Sequence, residues 1–371
     1  MEDKPPRQLG MFTYLCKECD KYKLCGGTDR APCTCVYKLK KNKLDCKDCQ
    51  IYCSERDKDI DIGIQFKTLN ELEIFQPKKI TLPPFIPLRT NQVNNDCLVD
   101  FNWVGVDAKV LFCKSRKKNA ADLKKFFASE EATRSHLKVT KNANLMVILN
   151  GSDDILELFW TARRSELFNR LRDSGFIALT GPTFSIITKS RPTYHNINML
   201  LRHHKVLSEI ADAGLIAIPN LYSVTNVDRA IWSKWLKDSP DVWIVSRDFS
   251  RTKATRSLKA EFGEMVEILS ATGRAFHVIL VGVALRNSLK IVPPLIELGH
   301  SCSIATSFPV LKGFGGLEIR FDNLSGQVEY VLKPDKTLVE IAEANLRVAR
   351  KFFHRFMSYE AKESSPKKRI A

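Results

Sequence analysis

The chain has 371 residues, 44% apolar and 27% charged, the make-up of a soluble globular protein long enough for one large domain and an appendage. No apolar run reaches the roughly 18 residues of a membrane-spanning helix, and the polar start MEDKPPRQLG lacks the apolar stretch of a secretory signal, so a cytoplasmic location away from membranes is expected. Lys and Arg outnumber Asp and Glu 58 to 42, giving a net charge of +16, and that excess favours a polyanionic partner bound through phosphate contacts and counterion release.

The first segment, residues 1–56, holds eight of the eleven cysteines: Cys16, Cys19, Cys25, Cys33, Cys35, Cys46, Cys49 and Cys53. Two C-x2-C knuckles flank a central C-x-C, and large apolar residues between them are few. A reducing compartment disfavours disulfides, and a segment without a core of its own needs another source of folding free energy. Metal ligation supplies it, so a metal-binding module is expected. Eight thiolates suffice for two four-ligand sites. Zinc is favoured, with an iron–sulfur cluster as the alternative, because tetrahedral thiolate sites accept either.

Residues 57–140 read as a connecting segment. The prolines of ITLPPFIPLRT argue against a central strand and for an extended stretch laid across a surface. CLVDFNWVGVDAKVLFC (97–113) has the β-branched content of a strand pair, and a basic loop and helix follow.

From residue 141 to 357 a regular beat begins. The apolar strands NLMVILN, FIALTG, LIAIPN, DVWIVSRD, AFHVILVGVA and CSIATS alternate with amphipathic helices, several closed by glycine. Strands apolar on both faces are what a parallel sheet covered by helices requires. The fold class is therefore α/β, and a (β/α) barrel, incomplete or distorted, is favoured over a doubly wound sheet because no G-x-G-x-x-G follows any strand. GLEIRFDNLSGQVEYVLKP reads as a hairpin turning at Ser325-Gly326, and KTLVEIAEANLRVARKFFHRFMSYEA as a long helix packed on the barrel. Residues 358–371 form a basic tail.

Parallel α/β folds place chemistry at the carboxyl ends of their strands. The acids there are Asp153, Asp154 and Asp248, expected across the barrel mouth from one another and suited to work at a glycosidic bond. Their structural alternatives are helix N-caps for Asp153 and Asp154 and a pairing with Arg247 or Arg251 for Asp248. Around them, Lys189, Arg191, Tyr222, Arg247, Arg251, Lys253, Arg256 and Arg286, with Phe249, form a rim of cations and flat rings of the kind that clamps phosphate and stacks bases. His203-His204 read as surface or packing residues rather than ligands, His277 as a satisfied core residue, and Trp232 and Trp235 as core. Cys97, Cys113 and Cys302 read as ordinary core thiols.

The knuckles ending CKDCQIYC, together with LPPFIPL, GPTFSIITKSRP and LIAIPNLYS, resemble an uncharacterised bacterial and phage domain family. More distantly the chain resembles the barrel of tRNA-guanine transglycosylases, DNA 7-deazaguanine-inserting enzymes and phage-defence DNA glycosylases. That resemblance implies an aspartate attacking the anomeric carbon of a nucleotide while a second assists proton transfer, beside a zinc site. The D-S-G-G-F-Q stretch of the transglycosylases is absent, and the metal cysteines here precede the barrel instead of following its later strands. The expected function is processing of a modified base by a DNA glycosylase or transglycosylase, with DNA favoured over RNA. A non-catalytic nucleic-acid-binding protein and an iron–sulfur redox enzyme are the alternatives.

Overall fold

A computed structural model describes residues 72–363, apart from 79, 91–96, 98–99, 115–120, 164–165, 185–192, 224–225, 251, 253–254 and 322–327. The cysteine-rich segment lies outside the described residues, as does the expected basic tail from residue 364 on; residues 358–363, expected to begin that tail, continue the last helix.

Eight parallel strands form the central sheet: β1 (Phe85–Arg89), β2 (Trp103–Asp107), β5 (Asn144–Ile148), β6 (Phe176–Thr180), β7 (Ile216–Ile218), β8 (Ile244–Asp248), β9 (His277–Val281) and β10 (Ser301–Thr306). Each pairs with its neighbours in chain order, and β10 pairs in parallel with β1. The two outer strands of that sheet, β7 and β8, meet through a parallel bridge between Asn220 and Ser246. The Leu221 N–H donates to the Ser246 carbonyl, and the Ser246 N–H to the Pro219 carbonyl, each at 2.7 Å. The sheet is thereby an eight-stranded α/β barrel, as the apolar strand–helix rhythm leads one to expect.

The helices follow the strands. α1 (Ala108–Leu111), the hairpin β3 (Phe112–Lys114)/β4 (Ala121–Leu123) and α2 (Glu130–Leu137) separate β2 from β5; α3 (Asp153–Ala162) and α4 (Leu167–Asp173) precede β6. α5 (Thr193–Asp212), α6 (Asn226–Asp238), α7 (Thr255–Ser270) and α8 (Leu285–Glu297) come after β6, β7, β8 and β9 in turn. β10 leads to α9 (Phe308–Phe314), the hairpin β11 (Leu317–Phe321)/β12 (Val328–Leu332) and the long α10 (Leu338–Glu363). Two apolar layers result. Ile86, Leu88, Trp103, Met146, Ile148, Ile218, Ile244 and Ile279 fill the barrel, while a larger cluster packs the outer strand faces against the helices. α10 is seated by Phe353, stacked on Phe85 of β1 at 5.6 Å, and by the buried amide of Asn345, which accepts from the Ile319 N–H at 2.7 Å and donates to the Pro309 and Leu317 carbonyls.

The barrel starts earlier than the sequence rhythm indicates. Six beats are legible from residue 141 onward, but the first two strands lie in the segment read as a connection. Phe85–Arg89, expected as a surface stretch, is a buried strand between β10 and β2. Pro83 and Pro84 stand before it, where their missing N–H groups interrupt nothing within the strand. Only Pro87 falls inside, costing the ladder at most one donor. The 97–113 stretch, expected as a strand pair, instead gives barrel strand β2, the turn of α1 and the separate edge strand β3.

The seam between β7 and β8 is completed at its amino end by a side chain. Gln76 is fully buried, and its amide nitrogen donates to the Ala217 and Ile244 carbonyls, both at 2.9 Å. Its amide oxygen accepts from the Trp243 and Ile244 N–H groups at 2.9 and 2.7 Å. One side chain here does the work of a short ladder.

Candidate active site

Side chains alternate along a strand, so a residue known to point inward fixes its neighbours two positions away. Trp103 of β2 and Ile244 of β8 belong to the cluster inside the barrel. The same alternation carries Asp107 and Asp248 to the interior face at the carboxyl ends of their strands. β2 and β8 stand four places apart in the ring of eight, so the two carboxylates face each other from opposite sides of the mouth.

Asp107 ends β2 and caps α1, its carboxylate accepting from the Lys109 N–H at 2.8 Å. Burial pushes its carboxyl up to about 6. The Lys109 N–H and ammonium pull it down, and the negative charge of Asp248 adds a further upward push. A carboxyl held there changes protonation near neutrality, which is what a proton-transfer group needs.

Asp248 is positioned by the seam itself. Its N–H donates to the Asn220 side-chain oxygen at 3.1 Å, and its carboxylate accepts from the Ser250 N–H at 2.8 Å. Ser250 can lie so close to the end of β9 because residue 282 is glycine. Gly282 has φ +73°, and a Cβ there would stand 2.6 Å from the Ser250 Cα. Between β2 and β6, the Asn150 side chain is buried at the end of β5, and its amide oxygen has no hydrogen-bond partner among the described residues. A buried acceptor of this kind invites a donor from a ligand.

The chain matches no protein-family model and no curated sequence.

Of the expected acids, Asp248 lies at the mouth. Asp153 and Asp154 are the first two residues of α3, following Ser152 at its N-cap. The expected rim divides. Arg247 points away from the mouth, because it is one residue out of phase with Asp248. It is buried, donating to the Leu221 carbonyl at 2.6 Å and pairing with Glu261 of α7 at 3.3 Å. Tyr222 is also buried; its hydroxyl meets the Met199 carbonyl at 3.4 Å, and burial pushes the phenol well above its usual range. Phe249 is core. Arg286 is exposed, donates to the Val328 carbonyl at 3.0 Å and sits over the Tyr330 ring. Arg256 falls in the first turn of α7. Lys189, Arg191, Arg251 and Lys253 lie outside the described residues, as do Cys16, Cys19, Cys25, Cys33, Cys35, Cys46, Cys49 and Cys53. Among the described residues, no three of His, Cys, Asp and Glu converge as a metal site, and no helix is long and apolar enough to cross a membrane.

Asp107 and Asn150 were not among the expected residues. The signal for Asp107 was present: WVGVD ends in an acid and runs straight into a helical AKVL, the same pattern that marks IVSRD. It was obscured by reading 97–113 as a strand pair.

Proposed function

We propose that this chain is a nucleic-acid base-processing enzyme that breaks or exchanges an N-glycosidic bond at the barrel mouth. The observation that carries the reading is the pair Asp107 and Asp248, facing each other at the strand ends with the proton affinity of Asp107 raised to about 6. Protonated Asp107 gives its proton to the departing base. The carboxylate of Asp248, steadied by the Ser250 N–H, stabilises the positive charge that develops at the sugar's anomeric carbon, or attacks it. Water, or an incoming base in an exchange, then completes the substitution and returns a proton to Asp107. The open Asn150 acceptor meets an N–H on the edge of the base, which must leave its stack to enter the mouth. The net charge of +16 supports a polyanionic substrate. DNA is favoured over RNA, and the eight-cysteine segment is proposed to hold zinc, with an iron–sulfur cluster as the alternative.

The test is incubation of the full chain with modified and unmodified DNA, followed by mass spectrometry of released bases. Asp107→Asn and Asp248→Asn should each reduce release by at least about 100-fold. Full activity in both variants would end this proposal.

A further inference from the structure

The last helix carries a second feature, at the other end of the barrel. Arg347, Arg350, Lys351 and Arg355 recur at three- and four-residue intervals along α10, and all four are exposed. At 3.6 residues per turn this spacing gathers them into one stripe, while Phe353, Leu346, Ala349 and Met357 occupy the opposite, buried face. Arg347 approaches Glu343 only at 4.0 Å. Arg350, Lys351 and Arg355 have no carboxylate partner among the described residues. A soluble helix usually offsets such a run with acids one turn away; here the middle of the stripe is left positive.

Beside the stripe lies a cleft of about 380 Å³, lined by Phe101, Asn102, Arg350, Lys351 and His354 among others. Asn102 precedes β2, and Pro83, which precedes β1, also reaches the cleft. The cleft therefore opens at the amino ends of the strands, a strand length of roughly 15 Å from the two carboxylates. Arg350 is already oriented. Its guanidinium lies 5.0 Å from the Phe101 ring centre and donates to the Asp100 carbonyl at 3.2 Å, leaving further donors for the cleft.

We infer that α10 and this cleft form a docking surface for single-stranded nucleic acid, separate from the barrel mouth. The stripe from Arg347 to Arg355 is about 12 Å long, the rise of three to four stacked nucleotides. The cleft has the size of sites that take a small planar ligand, and an arginine plane backed by an aromatic ring is a stacking platform for one base. Charge complementarity fixes the phosphates as occupants of the stripe, and the cleft beside it favours a strand with free bases over a duplex or a lipid surface. The inference shares its partner class with the proposed function but requires no bond cleavage.

The test uses the full chain and a fluorescein-labelled 20-mer of deoxythymidine, with anisotropy read from 50 to 300 mM KCl. The quadruple variant R347Q/R350Q/K351Q/R355Q should bind at least about 30-fold more weakly at 100 mM salt, and its log–log salt slope should flatten by about 3. K141Q/K205Q/K237Q/K259Q removes the same charge from other exposed positions and should stay within about threefold of the parent. Oligonucleotide binding is read here without bond cleavage, so loss of base release in Asp107→Asn or Asp248→Asn does not bear on this surface. Equal losses in the two quadruple variants would overturn the inference. So would an α10 variant that keeps its oligonucleotide affinity, or one whose only defect is in binding phosphatidylserine vesicles.

Discussion

Replacing Gln76 by leucine tests the closure of the barrel. The leucine keeps the volume but removes an amide that makes four buried hydrogen bonds, stranding the carbonyls of Ala217 and Ile244 and the N–H groups of Trp243 and Ile244. Each buried backbone group left unpaired costs about 1–3 kcal/mol. Allowing for partial rescue by water and relaxation, the variant should lose at least about 4 kcal/mol, a large share of the 5–15 kcal/mol that holds a typical domain folded. At about 2 °C per kcal/mol for a domain of this size, the melting temperature should fall by about 8 °C. Gln76→Glu should be no better, because an ionised carboxylate would face the two carbonyls with no proton to give. Hydrogen exchange makes the test local: the amides of Trp243 and Ile244 should lose protection before those of β1 or β10. Phe75→Ser, at the neighbouring residue that is 68% exposed, should change the melting temperature by no more than about 1 °C. If Gln76→Leu also stays within 1 °C and the two amides keep their protection, the side chain does not hold the seam.

Three further outcomes are expected. Gly282→Ala should destabilise by more than about 2 kcal/mol, because φ of +73° and the 2.6 Å approach to Ser250 both oppose a Cβ, and denaturant unfolding measures it. Asp107→Asn should raise stability near pH 7 by about 3 kcal/mol. The folded-state pKa of Asp107 lies above its unfolded value, so the protein forfeits stability as pH rises from about 4 through about 6, and asparagine removes that loss while keeping the cap. The advantage should vanish below pH 4, as paired melts at pH 3.5 and 7.5 would reveal. His277 works in the opposite direction, since burial lowers it to about 4 and stability should fall as pH drops from 6.5 toward 4. The Ser303 hydroxyl donates to the Pro83 carbonyl at 2.5 Å, so it accepts from His277 Nε2–H at 2.7 Å, and Nδ1 accepts from Ser301. His277→Gln should flatten that acid limb.

The six later strands were legible because each is a short apolar run followed by an amphipathic helix, and helices on the outside leave both strand faces buried. The first two strands break that rhythm. β1 carries a proline and β2 a glycine, and among the described residues no full-length helix directly follows either. Only long-range pairing, β1 with β10 and β2 with β5, makes them barrel strands, and local pattern cannot report it. Asp248 was found because strand-end position is written in IVSRD; Arg247, one residue earlier, was misjudged because strand phase decides which of two adjacent polar residues meets the mouth. Trp232 is core, as its helical spacing leads one to expect, and of the surface and packing readings open to His203 and His204 the structure gives packing: the three rings contact one another in the buried layer outside the strands. Gln76 carried no sequence signal, since nothing in NELEIFQPK marks a side chain that replaces a ladder.

The two ends of the barrel treat their polar atoms differently, and the difference separates scaffold from site. At the amino end Gln76 is saturated, His277 has a partner on each ring nitrogen, and the Trp103 indole donates to the Thr81 carbonyl at 3.0 Å. The His300 Nε2 is an exception there. At the carboxyl end, buried atoms without hydrogen-bond partners among the described residues include the Asn150 oxygen and the hydroxyls of Thr90 and Thr183. Asp107 is held there against its own ionisation, and Gly282 keeps a left-handed backbone to admit Ser250. Unmet hydrogen-bonding capacity and a desolvated acid each cost stability, and a fold keeps such costs together where a bound ligand relieves them. That clustering would arise even if the basic stripe on α10 bound nothing, because stripe and mouth share no residue. The proposed chemistry is therefore assigned to the carboxyl end, and the inferred docking surface at the amino end would hold a strand without disturbing it.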